Sequence, residues 1–204
     1  MKEKTKNMRS TLSPIILAAA IILGVSLPGC FPLNRVISEE DVAYSTKRVS
    51  LRYILRNYNR RSPLISVEQS VVKESGQGGG VTYKVYDILT LSGSSFEVSD
   101  DIFWIIDGQA YPMKIDRRES DFSRSISEET KDIAISDSTS VNVVTGYSYE
   151  NRKIARFSYT VPREVVDKTR VSKRLMLRYY SGPDMMTVKL RNHNLNRLKR
   201  VIAQ

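Results

Sequence analysis

Few side chains in this sequence have the types and spacing that chemistry requires. The 204 residues contain one cysteine, Cys30, and one histidine, His193. A single thiol rules out an internal disulfide, a cysteine zinc site and a dithiol redox pair. His193 stands in Arg191-Asn192-His193-Asn194. No nucleophile signature accompanies it, and no set of metal ligands at related spacing includes it. It reads as a solvated loop histidine, so neither a metal nor a cofactor is expected. The acids Asp100, Asp101, Asp107, Asp116, Glu119 and Asp121 cluster along the chain. Paired carboxylates cleave glycosides, and oxygen-rich loops hold calcium. The spacing is diagnostic of neither, and turn-forming acids on a solvated face account for it better. The run Gly76-Gln77-Gly78-Gly79-Gly80 lacks the Lys-Ser/Thr of a phosphate loop and precedes an alternating segment, so it reads as a flexible hairpin loop.

Tyrosine and arginine carry more information. Residues 151–204 hold 14 Lys and Arg against Glu164, Asp167 and Asp184, a balance of +11, whereas residues 30–150 hold 14 bases against 18 acids. Tyrosines are interleaved with that basic half. Tyr and Arg anchor interfaces, although both are also ordinary strand residues. Arg152, Arg156, Arg178, Tyr179, Tyr180, Lys189 and Arg191 are therefore the candidate interaction face. The charge asymmetry fits an anionic partner. It fits equally an acidic half that neutralises the basic half across one fold.

The N-terminus has its own logic. Lys2, Lys4, Lys6 and Arg9 precede an uncharged run from Thr11 to Leu27 with the core Ile15-Ile16-Leu17-Ala18-Ala19-Ala20-Ile21-Ile22-Leu23. A basic start followed by a short apolar stretch is the anatomy of a secretory signal peptide. The run closes on Leu27-Pro28-Gly29-Cys30. This segment resembles the lipobox of bacterial lipoproteins, with Leu27 and Gly29 at the matching positions and Pro28 departing from the usual small residue. The resemblance covers the leader alone. It implies cleavage before Cys30, diacylglycerol on the Cys30 thiol and an acyl chain on the new amino terminus. Two or more chains hold a protein stably at a membrane, at roughly 0.8 kcal/mol per buried methylene. Phe31 follows the cysteine, where inner-membrane retention would call for aspartate. By the same resemblance the outer membrane is favoured in a cell that has one.

These readings divide the chain into a cleaved leader (1–29), a lipidated tether (30–47) that includes a candidate short helix from Glu39, and one domain (48–204). In the domain the hydrophobic period is mostly two. Val49, Leu51 and Tyr53 alternate with polar residues, as do Ile65, Val67 and Val71, and again Val81, Tyr83 and Val85 on a strand reaching Leu91. Asp107-Gly108 joins two runs of β-formers and predicts a tight hairpin. Its Trp104, the only tryptophan, reads as a packing residue. Residues 117–140 are polar and read as a long loop with short strands near 123–126 and 133–135. Further strands are expected at 140–149, 153–161, 174–180 and 185–190. Pro162 is placed to open a short helix, and Leu195, Leu198, Val201 and Ile202 repeat with helical spacing. The expected fold is mainly β, an antiparallel β-sandwich or open barrel with a short C-terminal helix.

The expected function is a membrane-anchored envelope lipoprotein with a non-enzymatic binding or assembly role. Its partners would be the membrane, through the N-terminal lipid, and another envelope protein or an anionic surface. Export argues against nucleic acid. The alternative is an envelope glycan hydrolase using the loop carboxylates.

Overall fold

Alternation of apolar and polar residues buries one face of each strand, and two such faces closing on each other make the core. The computed structural model describes residues 33–76, 79–136 and 139–204. The leader, the Leu27-Pro28-Gly29-Cys30 segment and the start of the expected tether lie outside the described residues.

The first sheet has six strands. They are β1 (Val36–Asp41), β2 (Thr46–Arg56), β3 (Leu64–Ser75), β4 (Val81–Ser92), β7 (Ile115–Ser136) and β8 (Thr139–Thr160), in the order β1-β2-β3-β4-β8-β7. The second has four, β5 (Ile102–Ile106), β6 (Gln109–Met113), β9 (Leu175–Ser181) and β10 (Asp184–Lys189), in the order β10-β9-β5-β6. Every pairing is antiparallel. Both sheets curl around one core, in which Leu51, Val67, Val85, Leu89 and Phe157 of the first meet Ile102, Trp104, Leu177 and Met186 of the second. The mainly β architecture expected from the sequence is what the structure shows.

Two helices follow the strands. Helix α1 (Arg163–Val171) starts after Pro162, whose fixed φ suits a helix entry. Helix α2 (Asn192–Ala203) buries Leu195, Leu198, Val201 and Ile202 in the same core. Its last turn is met by two groups from the sheet. Lys73 Nζ and Tyr83 Oη donate to the Ile202 carbonyl at 3.5 and 3.4 Å, which satisfies a helix-end acceptor and places a cation at the negative end of the helix dipole.

The Asp107-Gly108 hairpin forms as expected, with φ of +49° and +98° at its two turn residues. The Asp107 carboxylate then does a second job. It accepts the backbone N–H groups of Lys173 (3.0 Å) and Arg174 (2.8 Å), pinning the segment that leads into β9.

Four expectations are corrected. Residues 36–41, read as tether with a short helix from Glu39, form the edge strand β1, because β2 offers Val36 and Ile37 a ladder opposite Leu51 and Ser50. Ile65 does not share a face with Val67. A register shift between Leu64 and Ser66 turns Ile65 outward and puts Leu64 in the core. The polar segment 117–140 is not a long loop, since Ile115–Ser136 is one strand of 22 residues. The strands expected at 140–149 and 153–161 are likewise one, Thr139–Thr160.

The last two corrections define one object, a β-arm. Strand β8 pairs with β4 only from Arg152 to Thr160. From Asn151 back to Thr139 its only ladder among the described residues is with β7, which matches it from Arg124 to Ser136. This two-stranded extension has a length of about 40 Å at ~3.4 Å per residue.

Candidate functional site

Three places in the described residues combine polar or aromatic groups in a way that packing alone does not demand. They are a buried cluster between the sheets, a basic groove at the start of α2, and the β-arm.

The buried cluster centres on Asp87. Strand alternation puts Tyr83, Val85, Asp87, Leu89 and Leu91 on the core face of β4, so a carboxylate occupies an apolar position. Gln69 Nε2 donates to Asp87 Oδ1 at 2.7 Å. Tyr159 and Tyr179 hydroxyls donate to Oδ2 at 2.9 and 2.8 Å. Tyr53 donates in turn to Gln69 Oε1, and Trp104 Nε1 to the Tyr159 oxygen at 3.0 Å. Burial pushes the Asp87 pKa up to about 6, partly offset by the hydrogen bonds from Gln69, Tyr179 and Tyr159. The three tyrosines are pushed well above their ordinary value, by burial first and then by the Asp87 charge. A perturbed carboxylate invites a catalytic reading. Here Asp87 is fully buried, and three donors converge on its two oxygens. What the cluster does is join the two sheets, since Tyr179 and Trp104 belong to one and Asp87, Gln69, Tyr53 and Tyr159 to the other.

The basic groove lies where β2, β10 and α2 meet. Two adjoining depressions of about 320 and 640 Å³ share Arg56, Tyr58, Lys189, Arg191 and His193. Arg191 donates to the Tyr58 hydroxyl at 3.0 Å, with its guanidinium 6.0 Å from the ring centre. The loop that carries Tyr58 also carries the exposed Arg60 and Arg61. Among the described residues, none of Arg56, Arg60, Arg61, Lys189 and Arg191 forms an ion pair. Helix α2 begins at the groove with no side-chain cap and no acid in its first turn, so its positive end is not neutralised from within. Asn194, in that first turn, is buried; its Oδ1 has no hydrogen-bond partner among the described residues and, as an acceptor, adds nothing to the attraction for an anion. The arrangement can hold an anionic group.

No family model, no curated protein and no solved structure matches the chain.

The structure scatters the interaction face expected from sequence. Lys189 and Arg191 do come together, in the groove. Arg152 and Arg156 lie on the outer face of the six-stranded sheet, bonded to Glu150 at 2.6 Å and Asp121 at 3.8 Å. Arg178 and Tyr180 lie on the outer face of the other sheet, where Arg178 donates to Thr187 and Tyr180 meets Phe103 edge-on. Tyr179 is a correction. It is wholly buried and bonded to Asp87, because strand alternation sends neighbouring Tyr179 and Tyr180 to opposite faces. Sequence reading missed Arg56 and Tyr58. The stretch Arg56-Asn57-Tyr58-Asn59-Arg60-Arg61 between two strands was the available signal.

The loop carboxylates are engaged locally. Asp100 pairs with Arg118 at 3.1 Å, Asp101 accepts from Ser99, and Asp107 holds Lys173 and Arg174. Asp116 accepts from Thr160 at 3.0 Å. Asp116 and Glu119 line an open outer groove of about 570 Å³ together with Lys84, Arg117 and Arg156.

Proposed function

We propose that this chain is a lipid-anchored component of a bacterial cell envelope. Its folded domain has a binding role without enzymatic chemistry and engages an anionic envelope surface through the groove at the start of α2. The observation that carries the binding reading is the set of cations at that groove, none of which meets a carboxylate among the described residues. Clustered charges of one sign raise the local potential and attract an oppositely charged surface. Support for the anchor comes from the sequence: the basic leader, its apolar run and Leu27-Pro28-Gly29-Cys30, with Phe31 favouring the outer membrane.

The two parts are separable by experiment. In a high-salt wash, which weakens the groove's own attraction to anionic lipid, Cys30→Ala moves the protein from the membrane fraction to the soluble one; retention under that wash refutes the anchor. The released Cys30→Ala protein co-sediments with phosphatidylglycerol vesicles and not with phosphatidylcholine vesicles, and added salt weakens the association. A surface-bound Lys or Arg contributes about 1 kcal/mol at an anionic membrane. Reversing both Lys189 and Arg191 to Glu therefore weakens binding at least tenfold. Equal binding to both vesicle types, or no effect of the double reversal, removes the groove from the function.

A further inference from the structure

Among the described residues, the β-arm leaves the outer edge of β7 unpaired along its whole length. Proteins blunt such edges with bulges, prolines, covering loops or charged side chains, and of these β7 carries the charges. Strand β7 has no proline, and at the register shift between Glu129 and Thr130 it contributes no extra residue. The bulge in this stretch of the arm is on β8, where Thr145 is the extra residue between the Glu129–Gly146 and Thr130–Val144 pairs. The extra residue is on β8, so β7 passes the bulge without an inserted residue.

From the charges and the exposed apolar residues of that edge together we infer that its occupant is β7 of a second copy, paired antiparallel about Ile126. Two strands that pair edge to edge by a two-fold axis must keep equivalent residues on one face, so the axis passes through a residue position. With the axis at Ile126, Arg124 lies opposite Glu128 and Asp121 opposite Lys131, and symmetry repeats both pairs. From Glu119 to Ile133 no like charges oppose. A shift to Ser125 opposes Glu119 to Lys131 and Arg118 to Asp132 but sets Asp121 against Glu129, and a shift to Ser127 sets no charge opposite another. Pairing about Ser123 opposes Arg118 to Glu128 and Arg117 to Glu129, but it brings no apolar residues together and draws on an Arg118 already held by Glu97 and Asp100. Apolar residues agree with the same register. Ile126 is 59% exposed and sits beside the exposed Tyr149 across the hairpin. Pairing at Ile126 brings two isoleucines together, each flanked by a tyrosine, and covers an exposed apolar patch in the way that cross-strand neighbours stabilise sheets.

Sedimentation of the full chain in detergent, together with charge swaps, tests the pairing. Wild type sediments as a concentration-dependent dimer. Arg124→Glu and Glu128→Arg each weaken dimerisation about tenfold, because each sets like charges opposite at two places. The double swap Arg124→Glu with Glu128→Arg restores it. In a Cys30→Ala background, Ile126→Cys forms a disulfide-linked dimer on mild oxidation, since directly opposed Cα atoms stand about 4.5–5.5 Å apart. Val141→Cys, on the other strand of the arm, forms no disulfide-linked dimer. A monomeric wild type, or a dimer indifferent to the single swaps or not restored by the double, overturns the inference.

Discussion

Asp87→Asn separates the energetic cost of the buried charge from its hydrogen bonds. The folded pKa of Asp87 is about 6 against an ordinary 3.8. The folded state therefore keeps a proton that the unfolded chain releases. Its contribution to stability is complete below about pH 4 and is lost as pH rises through about 6. A shift of roughly two units at 1.36 kcal/mol each amounts to about 3 kcal/mol. Asparagine mimics the protonated form. Its oxygen still accepts from Gln69 Nε2, and its amide faces the Tyr159 and Tyr179 oxygens, which can turn to accept. Imperfect geometry there costs about 1 kcal/mol at every pH. The variant is expected to be slightly less stable than wild type at pH 4 and about 2 kcal/mol more stable at pH 7.5. Urea unfolding followed by Trp104 fluorescence measures this directly, because Trp104 is buried and donates to Tyr159 within the cluster. A difference between variant and wild type that stays flat from pH 4 to 8 would refute the reasoning. So would one that grows in favour of wild type with rising pH, as it would then show a charge stabilised by its donors rather than destabilised by burial.

Two further substitutions probe the positioning of the elements. Asp107→Ala frees the backbone N–H groups of Lys173 and Arg174 and loses a residue suited to positive φ, so thermal melting should show a loss of about 1–2 kcal/mol. Asp107→Asn should recover part of it. Gly182→Ala combines φ of +55° with a new Cβ 2.5 Å from the Phe96 ring, and a loss above about 1 kcal/mol in urea midpoint is expected unless Phe96 swings aside. Crystals of the variant would show that movement.

Where one face of a strand is buried and the other wet, the sequence declares it. Val49-Leu51-Tyr53 and Tyr83-Val85 are legible on that ground, and Asp107-Gly108 and Pro162 are legible because each has a backbone conformation built into its chemistry. The β7 half of the arm fails the same test for a physical reason. Both its faces are exposed, so Ser123 to Asp132 carry no alternation, and cross-strand partners such as Val143, Tyr147 and Tyr149 hold the strand instead. Edge strand β1 was hidden likewise by its charged Glu39-Glu40-Asp41. Asp87 was visible in principle, as an acid at a core position of a strand already recognised. The groove was not, because Arg191 and Tyr58 lie 133 residues apart and only the fold makes them neighbours.

Strand β8 belongs to two neighbourhoods at once. From Lys153 to Tyr159 its amides sit in a sheet covered by the core, and from Ser140 to Asn151 they sit in a ribbon with water on both sides. The ribbon can open without disturbing the core, whereas the covered part opens only when the domain does. One continuous strand thus carries two clocks for hydrogen exchange, and the step between them falls at Arg152. The body can outlast many openings of its own extension, so the extension is free to remodel around whatever it meets while the fold behind it stays intact.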